Sequence, residues 1–141
     1  MTEIEMSKVG VRQLVPLLMI KSMDASLRFY VDGLGFSMTN QWKPEGKIRW
    51  CWLEHGSAAL MLQEIAEEAH QLEGPPGAGV SLNFICADAL AFFRAMRTRG
   101  IATQRPFVGN QFWVTSLRDP DGYSLHFESP TDAPEEAEYD G

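Results

Sequence analysis

Apolar and polar residues alternate most regularly near the end of the chain, after Gly122. Period-two alternation predicts a half-buried strand. Its faces would be Tyr123, Leu125 and Phe127 on one side, and Ser124, His126 and Glu128 on the other. The preceding Asp119-Pro120-Asp121-Gly122 is typical of a tight turn, because proline pre-sets φ and glycine suits the fourth position. We therefore interpret both aspartates as turn residues and the segment from Phe112 as a hairpin.

Two other segments share one order, a short apolar strand followed by a capped helix. They are Leu14 to Ile20 with a helix from Met23 to Leu34, and Val80 to Cys86 with a helix ending at Arg99. Ser22 and Asp88 are helix-capping residue types, and Gly35 and Gly100 supply the stops. The apolar helix faces would use Leu27, Tyr30, Val31 and Leu34, and then Leu90, Phe93 and Met96. Further strands are expected over Phe36–Trp42, Ile48–Glu54, Ala58–Gln63 and Thr103–Phe107.

The chain is an internal repeat of these elements. Leu60 corresponds to Leu125 at an offset of 65 residues, and Ser22 corresponds to Asp88 at an offset of 66. The repeat predicts an α+β fold of two βαβββ modules, packed edge to edge into one curved mixed sheet. The expected bounds are about 11–64 and 80–129 for the modules, 65–79 for a linker and 130–141 for an acidic, solvated and mobile tail.

Composition narrows the class of protein. The 141 residues suit one domain, and 45% hydrophobic content is that of a globular protein. A net charge of −7 argues against nucleic acid and anionic membranes, and is compatible with a cationic ligand. The polar start, Met1 to Lys8, is no signal peptide. Cys51 and Cys86 are isolated, as expected of buried thiols in a reducing cytoplasm.

Three stretches together resemble the vicinal oxygen chelate superfamily, which contains glyoxalases, bleomycin-resistance proteins and extradiol dioxygenases. They are Ser22 to Phe36 with its Phe29-Tyr30 and Leu34-Gly35-Phe36, the strand Ala59 to Gln63, and the turn Asp119 to Gly122. Their order and the repeat cover nearly the whole chain. The resemblance implies a cup-shaped sheet that holds a ligand in the cup, usually in a dimer.

The same resemblance implies where metal-dependent relatives place their ligands. The corresponding positions are Val15, Met61, Ser81 and His126. Catalytic divalent metals prefer about three nitrogen or carboxylate ligands, and only His126 qualifies. A shift of one residue could bring in Gln63 or Glu128, but no second histidine. We therefore expect no metal and no cofactor.

Period two places a polar wall in such a cup. With Met61, Ser81 and His126 facing inward, Gln63, Asn83, Ser124 and Glu128 share that wall. Trp42, Trp50, Trp52, Phe112 and Trp113 lie on neighbouring strands, and alternation does not tell which of them face the cup. The candidate ligand-binding residues are Met61, Gln63, Ser81, Asn83, Phe112, Trp113, His126 and Glu128. His55 and His70 are assigned no chemistry.

Two functions follow as hypotheses. The first is a metal-independent binding protein of the bleomycin-resistance type, which sequesters a planar ligand in an aromatic-walled cup. The negative charge of the chain is compatible with a cationic ligand. The alternative is a glyoxalase-like lyase or isomerase, or a dioxygenase-related enzyme, in which His126 and Glu128 carry acid–base chemistry. The fold hosts both classes, so whether the chain is an enzyme stays open. We expect a cytoplasmic homodimer that binds a small molecule and neither nucleic acid nor membrane.

Overall fold

A computed structural model describes residues 2–65 and 74–141. A short helix α1 (Glu3–Val9) precedes two modules with the same order of elements. The first module contains β1 (Leu17–Ile20), α2 (Met23–Leu27) continuing as a π-helical turn over Arg28–Gly33, β2 (Ser37–Trp42), a 3-10 turn (Pro44–Gly46), β3 (Trp50–His55) and β4 (Ala58–Glu64). The second contains β5 (Ser81–Ile85), α3 (Ala89–Thr98), β6 (Phe107–Gly109), β7 (Phe112–Arg118) and β8 (Ser124–Pro130).

Each module forms one four-stranded mixed sheet. The strand orders are β1-β4-β3-β2 and β5-β8-β7-β6, with the first and last strands of each module parallel and the other pairs antiparallel. The predicted α+β fold of two βαβββ modules is therefore confirmed. One curved sheet was expected, but within the described residues there are two sheets and no backbone ladder joins them.

The helix caps are where the sequence predicts them. The Ser22 hydroxyl accepts a hydrogen bond from the Ala25 amide at 3.2 Å. The Asp88 carboxylate accepts from the amides of Leu90 and Ala91, both at 3.0 Å. These bonds satisfy amides that have no partner inside the first helical turn. Gly35 and Gly100 follow the helices at φ 85° and 71°, a conformation that side chains disfavour.

The apolar sides of both modules meet in one core. It contains Leu18, Ile20, Tyr30, Leu53, Leu60, Leu62, Met96, Leu125 and Phe127. Leu125 and Phe127 are buried as the alternation predicted, and the Phe127 ring stacks on Phe92 of α3 at 3.8 Å. The sequence predicted that Phe93 lies on the core-facing side of α3, but Phe92 is the residue that packs against the core. Phe93 packs against Tyr139 at 5.9 Å between ring centroids, because the C-terminal segment covers that side of the helix.

The turn before β8 joins the modules. The Gly122 amide bonds the Asp119 carbonyl, while one Asp119 carboxylate oxygen accepts from the amides of Asp121 and Tyr123, both at 2.9 Å. The other accepts from the Tyr30 hydroxyl of the first module at 2.8 Å. The interpretation of Asp119 as a turn residue is confirmed. Burial raises the pKa of Asp119, and burial with the neighbouring carboxylate raises the pKa of Tyr30.

Two strands begin later than the sequence predicts. β1 starts at Leu17 instead of Leu14. β6 spans Phe107–Gly109, whereas a strand over Thr103–Phe107 was expected. Pro106 has no amide hydrogen for a ladder. The turn that follows β6 uses Asn110 and Gln111 at φ 53° and 68°, the left-handed conformation of tight hairpin turns.

Both chain ends differ from the sequence expectation. Near the start, Thr2 and Glu5 form a capping box that begins α1, which was not predicted. The five acidic residues of the tail are exposed, as expected, but the segment also packs along the second module. Val108 exchanges backbone hydrogen bonds with residues 136 and 137, and the Tyr139 amide bonds the Pro106 carbonyl. The tail thereby covers the free edge of β6, which would otherwise leave strand hydrogen-bonding groups unpaired.

No helix in the described ranges has both the length and the apolar character needed to cross a membrane. His55 packs edge-on against Phe36 at 5.3 Å between ring centroids. His70 lies outside the described residues.

The two faces of β8 predict unequal costs of truncation. Phe127→Ala should lower the free energy of unfolding by roughly 3–5 kcal/mol, because it removes a stacked core ring. His126→Ala should cost only about 1 kcal/mol, since it removes one hydrogen bond at an accessible face. Urea unfolding of both variants provides the comparison. Equal losses would show that His126 belongs to the core.

Candidate functional site

Each sheet has one face on the core and one open face. Leu60 and Leu62 of β4 point into the core, so Ala59, Met61 and Gln63 point to the open side. Residues directly opposite each other in paired strands share a face. On this basis, the open face of the first sheet is formed by Met19, Trp42, Trp50, Trp52, Met61 and Gln63. We call it the tryptophan face.

The tryptophans on this face are adjacent in the strand register. Trp42 lies opposite Trp50, and Trp52 lies opposite Met61. The Trp42 side chain is 56% exposed, so a ligand can reach it. The Trp52 indole N–H donates to a Glu54 carboxylate oxygen at 3.0 Å, which fixes the ring and places a negative charge beside it. Flat rings with a nearby carboxylate suit planar or cationic ligands.

The open face of the second sheet carries polar groups. Its polar members are Ser81, Asn83, Ser116, Ser124, His126 and Glu128. Ile85, Phe112 and Val114 are its apolar members, and we call the whole the histidine face. Asn83 and Ser116 lie directly opposite His126 on the two neighbouring strands. The Ser116 hydroxyl shares a 2.7 Å hydrogen bond with His126 Nδ1. This bond orients the ring and leaves Nε2 as the atom that a ligand would meet.

Ser116 is part of this face but was absent from the sequence prediction. It is 7% exposed and sits deep in the face. Its position follows from the turn. Arg118 pairs with Ser124 at the turn, and two residues further from the turn on each strand Ser116 pairs with His126. Centring the hairpin on its turn could therefore have identified it from the sequence.

The two adjacent aromatics of β7 point in opposite directions. Phe112 shares the histidine face. Trp113 points to the other side, where its ring lies 6.0 Å from that of Tyr139 between centroids. Successive residues of a strand always alternate in this way, so these two candidates cannot line one wall.

The predicted site residues form two groups on separate sheets. Met61 and Gln63 belong to the tryptophan face, whereas Ser81, Asn83, His126 and Glu128 belong to the histidine face. The contacts between modules involve Tyr30, Asp119, Phe36, Phe84 and Tyr123, all on the core side or at strand edges. Within the described residues, the candidates thus lie on two sheets that share no backbone ladder.

The donor set at the metal positions implied by the resemblance does not suit a divalent cation. Met61 has Leu17 and Trp52 as its neighbours across the sheet, and His126 has its Nδ1 held by Ser116. In the described ranges no three histidine, cysteine, aspartate or glutamate side chains come together. Zinc, iron and manganese sites are built from nitrogen, carboxylate oxygen or, for the softer metals, thiolate ligands, and Val15 and Met61 of the first module supply none of these.

Solved structures with this fold are numerous, and their sequences are distant. TnmS3, an antibiotic binding protein from Streptomyces sp. CB03234, aligns with a TM-score of 0.68 at 19% identity over 86% of this chain and 98% of its own. A putative glyoxalase family protein from Bacillus anthracis aligns with a TM-score of 0.68 at 14% identity, over 86% and 98%. A glyoxalase/bleomycin resistance protein/dioxygenase from Nocardioides aligns with a TM-score of 0.65 at 17% identity, over 96% of each chain.

Curated proteins give no match to the sequence. The family model of the Glyoxalase/Bleomycin resistance protein/Dioxygenase superfamily matches residues 12–127, which include both modules. With the repeated βαβββ topology and the turn at Asp119, this match shows that the chain belongs to the glyoxalase/bleomycin resistance protein/dioxygenase superfamily.

Proposed function

We propose that this chain is a metal-independent small-molecule binding protein of the bleomycin-resistance type. It sequesters a planar ligand against an aromatic wall and forms no covalent bond with it. The observation that carries the proposal is the grouping of Trp42, Trp50 and Trp52 on one open face. A fold shared with an antibiotic binding protein supports the same role. The two unpaired cysteines support a reducing, cytoplasmic location.

The charge of the site favours a cationic ligand. Glu54 lies beside Trp52 and Glu128 lies on the histidine face. The chain as a whole carries −7. A cation over an indole ring gains about 0.5–2 kcal/mol from the ring, and a nearby carboxylate adds to that attraction. Neutral planar molecules would keep only the stacking contribution.

We propose further that two chains form the complete site. The tryptophan and histidine faces belong to separate sheets, and a second copy of the chain would place one face opposite the other. Strand β1 has no strand partner on its outer side in the described chain, and Leu17 is 47% exposed. Free edges and exposed apolar residues are features that oligomer contacts cover.

Acid–base catalysis is the second candidate function. The hydrogen bond shared with Ser116 holds the His126 ring, and Glu128 lies two residues along the same face. A fixed imidazole beside a carboxylate is suited to proton transfer. Recovery of the bound ligand separates the two functions: an unchanged mass supports sequestration, and a new mass that requires His126 supports catalysis.

Tryptophan fluorescence tests the ligand site. Planar aromatic cations should quench the wild-type protein to saturation at one ligand per site. Trp52→Ala should weaken binding by about 1–2 kcal/mol, or 5- to 30-fold. Glu54→Gln should weaken the binding of cations more than the binding of their neutral isosteres.

Trp113→Phe is the matched control for this experiment, because Trp113 points away from both open faces. Its affinity should equal that of the wild type. Loss of binding in Trp113→Phe with retention in Trp52→Ala would contradict the assignment of the tryptophan face.

Elemental analysis tests independence from metal. Protein purified from metal-supplemented medium should contain far less than one zinc, iron, nickel or manganese per chain, because Val15 and Met61 occupy two of the implied ligand positions. The chelator EDTA should leave the thermal midpoint unchanged. One metal per chain that disappears in His126→Ala would contradict the proposal.

Light scattering tests the dimer. At micromolar concentration the measured mass should be about twice the 15.8 kDa of one chain. Leu17→Lys should shift the population towards monomer, since a charge at a free edge opposes pairing. A wild-type monomer mass would refute the shared site.

A further inference from the structure

Apart from the proposed ligand faces, the modules meet at two positions that correspond to each other in the repeat. At the first, the turn before β8 packs against the end of β1. The Tyr123 hydroxyl donates to the Met19 carbonyl at 2.8 Å, and the Lys21 amide donates to an Asp121 carboxylate oxygen at 3.0 Å. An aromatic ring and an acceptor from the second module therefore fill this contact.

The second place lacks these groups. At the repeat offset of 65 residues, Tyr123 corresponds to Ala58 and Asp121 to Gly56. At the offset of 66, Met19 corresponds to Ile85 and Lys21 to Ala87. The chain turns there with only Gly56 and Ser57 between β3 and β4, so the hairpin is shorter and has no ring at the position of Tyr123. His55, at the end of β3, also lines the space left there.

A cavity of about 690 Å³ occupies this second place. All four corresponding residues line it, namely Gly56, Ala58, Ile85 and Ala87. The volume falls within the range of small-molecule pockets, about 300–1,000 Å³. Since Ala58 points to the core side of its sheet, the cavity lies on the opposite side of that sheet from the tryptophan face.

Phenylalanine rings form one wall of the cavity. Phe84, Phe127 and Phe92 stack in sequence, with centroid distances of 4.7 and 3.8 Å. Phe36 meets Phe84 edge-on at 5.9 Å. Such a wall favours a flat aromatic guest, because aromatic pairs gain from offset-stacked and edge-to-face contacts.

The free edge of β5 supplies a hydrogen-bond acceptor. In a parallel edge strand, every second residue directs its amide N–H and its carbonyl towards the neighbouring strand. The residues between them direct their N–H and carbonyl groups to the free edge. The Cys86 amide bonds the Glu128 carbonyl of β8, so Ile85 directs its carbonyl to the free edge. Met19 does the same on β1, where its carbonyl accepts from Tyr123.

We propose that this cavity binds a flat aromatic molecule bearing a hydroxyl group, of the phenol class. The ring occupies the space that Tyr123 fills in the other half of the repeat, and its hydroxyl donates to the Ile85 carbonyl. This is a second site, on the opposite side of the first sheet from the tryptophan face. It borders the histidine face at Asn83 and Ile85, and binding at the tryptophan face can fail without binding in the cavity.

Fluorine NMR with 4-fluorophenol tests the proposal on the full-length protein. The probe should bind saturably at millimolar concentration. Fluorobenzene, which lacks the hydroxyl, should bind about three- to tenfold more weakly, the usual effect of one neutral hydrogen bond. A probe that does not saturate would refute the site, and equal binding of fluorobenzene would refute the assigned hydroxyl contact.

Ala58→Tyr should abolish probe binding, because it restores the missing ring. Ala59→Tyr is the matched control: the adjacent residue points to the open face, so 4-fluorophenol should bind it as it binds the wild type. Ala91 lines the cavity from the first turn of α3. Ala91→Phe should therefore also abolish binding, and it replaces Ala58→Tyr in the experiment if that variant does not fold. Wild-type affinity in either cavity variant would overturn the proposal.

Cysteine labelling gives an independent readout. The chain has two cysteines: Cys86 lines the cavity and is partly exposed, whereas Cys51 is fully buried. Burial raises the pKa of Cys51 to about 11 and also raises the pKa of Cys86, so labelling requires mildly alkaline pH. Saturating 4-fluorophenol should slow maleimide labelling of Cys86 several-fold. An unchanged rate would place the probe elsewhere and overturn the proposal.

Discussion

The buried carboxylate of Asp119 is the contact on which the arrangement of the two modules depends. One oxygen holds the turn before β8 through two backbone amides, and the other accepts the hydroxyl of Tyr30. A carboxylate that is 5% exposed is stable only with such partners. The turn sets the register that places Ser116 opposite His126, so a single side chain ties the order of the second sheet to the first module.

Because the modules share one core, their open faces are left for other contacts. The repeat makes the two faces alike in backbone and different in chemistry: Met61 lies among indole rings where His126 lies among hydroxyl and amide groups. One face suits the capture of a flat ligand, and the other suits hydrogen bonding to it. The first module has no metal-binding residue at the positions implied by the resemblance, namely Val15 and Met61. The fold alone does not indicate metal chemistry, because one fold hosts many functions.

The same divergence between modules explains the cavity. The core positions of the repeat keep their apolar character, as Leu60 and Leu125 illustrate, since any polar or smaller residue there would destabilise the common core. The hairpin turns are free to differ in length. Where the second module carries Asp121 and Tyr123, the first carries Gly56 and Ala58, and the space is left open.

The sequence by itself determined the features that depend on residues close together in the chain. The caps at Ser22 and Asp88, the turn at Asp119 and the two faces of β8 all involve partners within about four residues, so composition and period identified them. The tertiary structure decided the rest. Trp113 and the acidic tail meet through Tyr139, and the sides taken by the other tryptophans follow from pairings between strands. In β3, where Trp50 and Trp52 alternate with Cys51 and Leu53, both faces are apolar, and only packing against distant residues decides which face is buried.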